Sequence, residues 1–139
     1  MPLSPIYSKT ITIPGSAIDE NGHVNNVAYV QWMQDIAVEH YEYIGGTNPM
    51  QLVGATWVVR EHRIEYLLPP FVGEEIEIKI WVENIRRVRS LRRCEFVRKA
   101  DGKVLVRGET DWVFVDVKTG LPRAIPEEVS KVFAITQEK

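Results

Sequence analysis

The sequence predicts an α+β domain in which one curved antiparallel sheet wraps around one long helix. Three observations carry that expectation. A single stretch, Asn26 to Ile44, repeats its apolar residues at helical spacing and is apolar nearly all round over its first half. Four segments after it read as strands separated by turn residues, and a fifth short one precedes it. A sheet curled over one apolar helix is the simplest way to bury both. With 139 residues, no repeat and no Ser/Gly linker, the chain reads as one domain over its whole length, residues 1–139.

The elements follow in order. Ile6 to Ile13 contains the β-branched run Thr10-Ile11-Thr12-Ile13 and stops at Pro14-Gly15. Ser16 to Asn25 is polar and rich in turn formers. Tyr29, Met33, Ile36, Ala37 and Tyr41 then recur every three or four residues, and Gln34, Glu39 and Glu42 take another side. Asn25 or Asn26 suits the N-cap and Gly45-Gly46 the C-cap, giving a helix of about 28 Å. Val27, Ala28, Val30 and Trp32 widen its apolar stripe, the pattern of an enclosed helix.

Strands are expected over Ala55 to Leu68, Glu75 to Ile85, Leu91 to Ala100 and Lys103 to Val117. The second alternates sharply, with Ile76, Ile78, Ile80 and Val82 on one face and Glu77, Lys79 and Glu83 on the other. Asp101-Gly102 marks a hairpin turn, and Pro126 opens a short helix from Glu127 to about Phe133.

Composition narrows the function. Hydrophobic residues at 45% and charged residues at 26% suit a globular fold, and a net charge of −2 argues against a nucleic-acid partner. The longest apolar runs are only a few residues, so no membrane span is expected, and Met1 to Ile6 shows no secretory signal. Cys94 is the one cysteine; it reads as a small buried hydrophobe and points to a reducing, cytoplasmic setting. His40 and His62 stand alone and no second ligand sits at metal spacing, so neither metal nor cofactor is expected.

The densest cluster of reactive side chains is Asp19-Glu20-Asn21-Gly22-His23-Val24-Asn25-Asn26, immediately before the long helix. A helix tip offers unpaired N–H groups and a positive dipole end, worth roughly 0.3–2 kcal/mol to a nearby negative charge. A carbonyl held there is polarised, and the oxyanion formed on attack is held more tightly still. A carboxylate just upstream can activate water or attack the carbonyl itself. Asp, Asn and Gly before a helix also serve ordinary caps and turns, so spacing alone leaves both readings open.

The run Asp19-x-x-Gly22-His23-Val24-Asn25-Asn26-x-x-Tyr29 resembles the signature of the 4-hydroxybenzoyl-CoA thioesterase-like branch of the hotdog superfamily. Asp19, Asn21 and His23 are also similar to the Asp-x-Asn-x-His arrangement of plant acyl carrier-protein thioesterases. Tyr66-x-x-Pro69, Gly73-Glu74 (Glu where the family has Asp), Asp101-Gly102, Trp112-Val113, Asp116 to Gly120 and Ile125-Pro126-Glu127 keep the family's order, over roughly residues 6 to 130.

The resemblance implies a hotdog fold and hydrolysis of an acyl-CoA or acyl carrier-protein thioester. Asp19 would be general base or nucleophile, and the Asn26 backbone N–H would donate to the thioester oxygen. Asn21 would orient substrate or water, and His23 would assist as a base or fix the loop. Tyr29, Trp32, Met33, Trp57 and Tyr66 are candidates for the acyl pocket or for plain core. Nine of the 17 Lys and Arg residues lie between Arg86 and Arg107, opposed there only by Glu95 and Asp101. The cluster Arg86, Arg87, Arg89, Arg92, Arg93 and Arg98 is the candidate for phosphate or acidic-carrier contacts, its first three members the better half, against a reading as a solvated turn and outward strand positions. A homodimer or homotetramer is implied, since an open sheet edge is usually covered. The rival readings are a hydroxyacyl dehydratase, a thioesterase whose carboxylate is Asp35 or Glu39 on the helix, and a non-catalytic acyl-CoA-binding protein.

Overall fold

A computed structural model describes residues 5–133. The elements run β1 (Ile6–Thr12), a 3-10 turn (Gly15–Ala17), α1 (Asn26–Tyr43), α2 (Thr47–Leu52), β2 (Ala55–Tyr66), β3 (Glu75–Arg86), β4 (Arg89–Arg98), β5 (Val104–Asp116) and α3 (Glu127–Ser130). The strands form one antiparallel sheet in the order β1-β3-β4-β5-β2. Register shifts at Val59/Glu61, Val82/Asn84 and Phe96/Val97 add local bends that curl the sheet toward α1. This is the hotdog architecture, with the long helix lying in the curve.

The period-two pattern of β3 decides the core. Ile76, Ile78, Ile80 and Val82 are all buried, and the register sets Phe96 opposite Ile78, Cys94 opposite Ile80 and Arg92 opposite Val82. Against this face lie Tyr29, Met33, Ile36, Ala37 and Tyr41, the five residues whose spacing predicts the helix. Burial pushes the Cys94 thiol up to about 12, so it is a packed apolar group and no thiolate at neutral pH.

Cross-links tie α1 to the sheet: Lys9 of β1 pairs with Glu39 at 2.7 Å, and Arg92 of β4 donates to the Ala37 carbonyl at 3.2 Å. The caps match their residues. Asn25 Oδ1 accepts from the Val27 amide at 2.8 Å. At the other end Gly45 N–H donates to Glu42 O and Gly46 N–H to Tyr41 O, a Schellman closure.

Several expectations need correction, among them β4, which runs Arg89–Arg98 rather than Leu91 to Ala100. The helix is enclosed on one side only; Val27 is 72% exposed and Val38 48%, because one sheet can cover only one side of a cylinder. α2 has no counterpart in the sequence reading, being six residues with Pro49 inside and too short to show a period. β2 ends at Tyr66 rather than Leu68, where the amides of Leu67 and Leu68 both turn onto the Leu105 carbonyl. The last helix stops at Ser130, short of Phe133.

Candidate active site

The Asp19 loop is a small closed structure. Ile18 and Val24 form an isolated bridge, Asp19 N–H donates to His23 O at 2.8 Å, and Gly22 N–H donates to Asp19 O at 3.0 Å. Gly22 makes the reversal with φ +76°, a left-handed conformation that costs a side-chain-bearing residue about 1 kcal/mol or more. Asp19 Oδ1 accepts from the Asn21 amide at 2.9 Å and from the His23 amide at 3.2 Å. That aspartate turn orients the carboxylate. Among the described residues Oδ2 has no hydrogen-bond partner.

The loop is spliced onto the helix by Asn25, whose N–H donates to Ala17 O at 2.7 Å and whose side chain caps Val27. Among the described residues the Asn26 N–H has no acceptor. An oriented carboxylate and an open amide at the tip of an 18-residue helix therefore lie on one short connected segment. The side chains of Asn21 and His23 are exposed and make no hydrogen bond among the described residues. His23 serves Asp19 through its backbone.

Beside the helix tip is an open cleft of about 310 Å³. His23, Val24 and Asn26 border it, Tyr29 reaches into it, and Tyr66 to Pro70 form the facing wall. Asp19 is half-buried next to this cleft in sequence but does not line it. Tyr29 and Tyr66 sit with ring centroids 5.3 Å apart; burial, then the neighbouring Tyr66, pushes the Tyr29 phenol up to about 12.

The other sequence candidates divide. Trp32 packs on Tyr29 and Phe96, and Met33 is buried in the core, so neither lines the cleft. Trp57 belongs to a second cavity, donating to Tyr41 Oη at 3.1 Å. Arg86, Arg87 and Arg89 lie at the β3–β4 turn. The Asp19 loop leaves the opposite end of the sheet, where Ile13 N–H meets Glu74 O. The length of β3, about 35 Å at 3.3 Å per residue, separates the two within one chain. Arg89 is also committed to an ion pair with Asp111.

Arg98, read in sequence as part of a phosphate-facing cluster, is a tether instead. It pairs with Glu74 at 2.9 Å and Asp101 at 3.1 Å and donates to the Pro69 carbonyl at 3.0 Å, holding the cleft wall. That wall was visible in sequence only as the Tyr66-x-x-Pro69 element. Asp35 accepts from Gln31 and Glu39 is neutralised by Lys9, so both helix carboxylates have partners. Among the described residues no group of His, Cys, Asp and Glu is placed to hold a metal, and no helix is long and apolar enough to cross a membrane.

One long helix cradled by a five-stranded antiparallel curl defines the class: a hotdog protein. The model of the thioesterase-like superfamily matches residues 14–133, and the chain belongs to that family. A Caenorhabditis elegans protein with a provisional esterase name is 36% identical over 61 residues, which are 44% of this chain and 36% of that one. The match thus takes in only about a third of that relative's length. An acyl-ACP thioesterase from Bacteroides thetaiotaomicron superposes with a TM-score of 0.86 at 21% identity, over 96% of this chain and 55% of that one. A Staphylococcus aureus protein solved in complex with CoA superposes at 0.81 with 18% identity, over 91% and 80%.

Proposed function

We propose that the chain hydrolyses an acyl thioester of coenzyme A or of an acyl carrier protein, with Asp19 as the reacting carboxylate. The observation that carries this reading is the division of labour at Asp19. Two amides hold Oδ1, while among the described residues Oδ2 has no partner, a few residues before the open N–H of Asn26. A thioester oxygen accepting from Asn26 gains most when it becomes an oxyanion. Asp19 either removes a proton from attacking water or attacks the carbonyl to give a mixed anhydride that water then opens. In both routes the C–S bond breaks, the sulfur leaves as thiolate, and the acid is released.

Family membership supports the reaction class, and the CoA-bound and carrier-protein neighbours support the choice of thiol carrier. Asn21 and His23, exposed beside the carboxylate, would contact substrate or water. Tyr29 and Tyr66 would line the acyl path in the cleft. The unpaired edges β1 and β2 and the half-open α1 favour a homodimer or homotetramer. In such an assembly Arg86 and Arg87 would meet the nucleotide phosphates of a site in an adjoining subunit.

The test is thiol release from a panel of acyl-CoA and acyl carrier-protein substrates, run beside Asp19→Asn. Turnover in the native protein and its loss in the variant is expected. Full turnover by Asp19→Asn would remove the assignment.

A further inference from the structure

Toward the C-terminal end of α1 a second cavity of about 210 Å³ opens between α1, α2 and the inner face of the sheet. Tyr41, Met50, Trp57 and Trp112 give it a large apolar wall, which Arg92 joins, with Thr47 and Thr56 also in the lining. Arg92 is only 6% exposed. Among the described residues its sole hydrogen bond is the one from Nη1 to Ala37 O, and no carboxylate lies within 4.0 Å of it. The guanidinium carbon lies 5.7 Å from the Tyr41 ring centre and 5.6 Å from that of Phe133. Glu42 stands exposed on the rim without pairing to it, and His40 beside it is held neutral by burial. Trp112 adds a buried Nε1 that lacks an acceptor among the described residues.

A guanidinium taken out of water costs several kcal/mol unless an anion or a full set of acceptors repays it. Ring faces contribute roughly 0.5–2 kcal/mol and leave the planar fork, built for two parallel bonds to a carboxylate, largely unused. Desolvation draws the Arg92 pKa down to about 10, so the group stays cationic at neutral pH. A buried cation with spare donors faces an apolar hollow smaller than the 300–1,000 Å³ that drug-sized ligands fill. The occupant is therefore small, one ring or a short chain, with one negative end.

We propose that this cavity binds an organic carboxylate, its acid group on Arg92 and its apolar body among Tyr41, Met50, Trp57 and Trp112. The site is separate from the Asp19 loop of the same chain. Asn26 and Tyr41 are fifteen residues apart on α1, about 22 Å. The carboxylate comes as a free acid, because a short chain anchored on Arg92 does not reach an ester carbonyl about 22 Å away at Asn26.

Trp57 and Trp112 line the cavity, so indole fluorescence of the intact protein reads its occupancy. Benzoate and hexanoate are expected to give a saturable change, at least tenfold tighter than benzamide and hexanamide. Arg92→Met should weaken benzoate at least tenfold. Met50→Phe, which narrows the cavity and leaves the cation in place, should weaken it too and serves if Arg92→Met does not fold. Equal affinity for acid and amide, or no saturable change up to about 10 mM, overturns the proposal.

The binding measurement needs no turnover, so it stands or falls apart from the assignment of Asp19.

Discussion

Asp19 and His23 hold each other across the loop: the Asp19 amide donates to the His23 carbonyl at 2.8 Å, and the His23 amide donates back to Asp19 Oδ1 at 3.2 Å. The carboxylate is thus a structural acceptor through one oxygen, and among the described residues nothing donates to the other.

Asparagine keeps the acceptor oxygen and loses the charge. Asp19→Asn should therefore melt within a few degrees of the native protein while thiol release falls about 100-fold or more. Asp19→Ala removes both and should lose about 1 kcal/mol of stability as well. A scanning melt with a thiol assay separates the two variants. Equal activity in Asp19→Asn and native protein would show that Asp19 only shapes the loop.

His40 makes folding sensitive to acid. It stacks on Tyr7 at 5.3 Å, and its buried Nδ1 has no partner among the described residues. Burial first, and then the nearby Arg92 charge, lowers its pKa to about 4. In the unfolded chain the group titrates near 6.5, so below that pH the unfolded state binds more protons and stability falls. The contribution, on the order of 3 kcal/mol, is complete above pH 6.5 and lost as pH drops through about 4. Urea unfolding of His40→Phe, which preserves the stack, should show a flatter stability profile between those limits than the native protein. Asp101 and Asp116, whose carboxyls backbone amides hold below the usual range, titrate alike in both proteins and cancel.

Gly46 is needed for space. A Cβ there would overlap the Tyr41 ring, which is fixed by the Trp57 hydrogen bond and by stacking on Phe133 at 5.6 Å. The ring cannot swing aside without breaking both contacts. Gly46→Ala should cost about 2 kcal/mol, seen as a lower urea midpoint with an unchanged slope. A neutral result would mean that the Tyr41 ring shifts freely.

What could be read from the chain, and what could not, follows from the range of each signal. Ile76, Ile78, Ile80 and Val82 alternate and Tyr29 to Tyr41 repeat at helical spacing, so β3 and the buried face of α1 were legible from local pattern. The Asp19 loop was legible because turn residues, cap and carboxylate fall within eight consecutive positions, Asp19 to Asn26. Val27 read as enclosed because composition records that a residue is apolar and says nothing of which element covers it. Arg92 was hidden among arginines expected to face outward. Its inward register with Cys94 and Phe96 depends on strand pairing, which only two apolar neighbours announce. The distance from Arg86 to Asp19 is likewise set by the direction of β3, a tertiary fact with no local mark.

That separation turns the phosphate proposal into a test of subunit sharing. Arg86→Ala with Arg87→Ala should raise KM for CoA esters about tenfold and leave kcat within about twofold, since the reacting atoms are untouched. If the arginines serve a neighbouring site, mixing this variant with Asp19→Asn should restore low-KM turnover. Each hybrid assembly then pairs an intact Asp19 on one chain with intact arginines on the other. If they served their own chain, every subunit with a working Asp19 would lack its arginines, and the mixture would keep the high KM of the double variant. An unchanged KM in the double variant itself would remove Arg86 and Arg87 from substrate binding altogether.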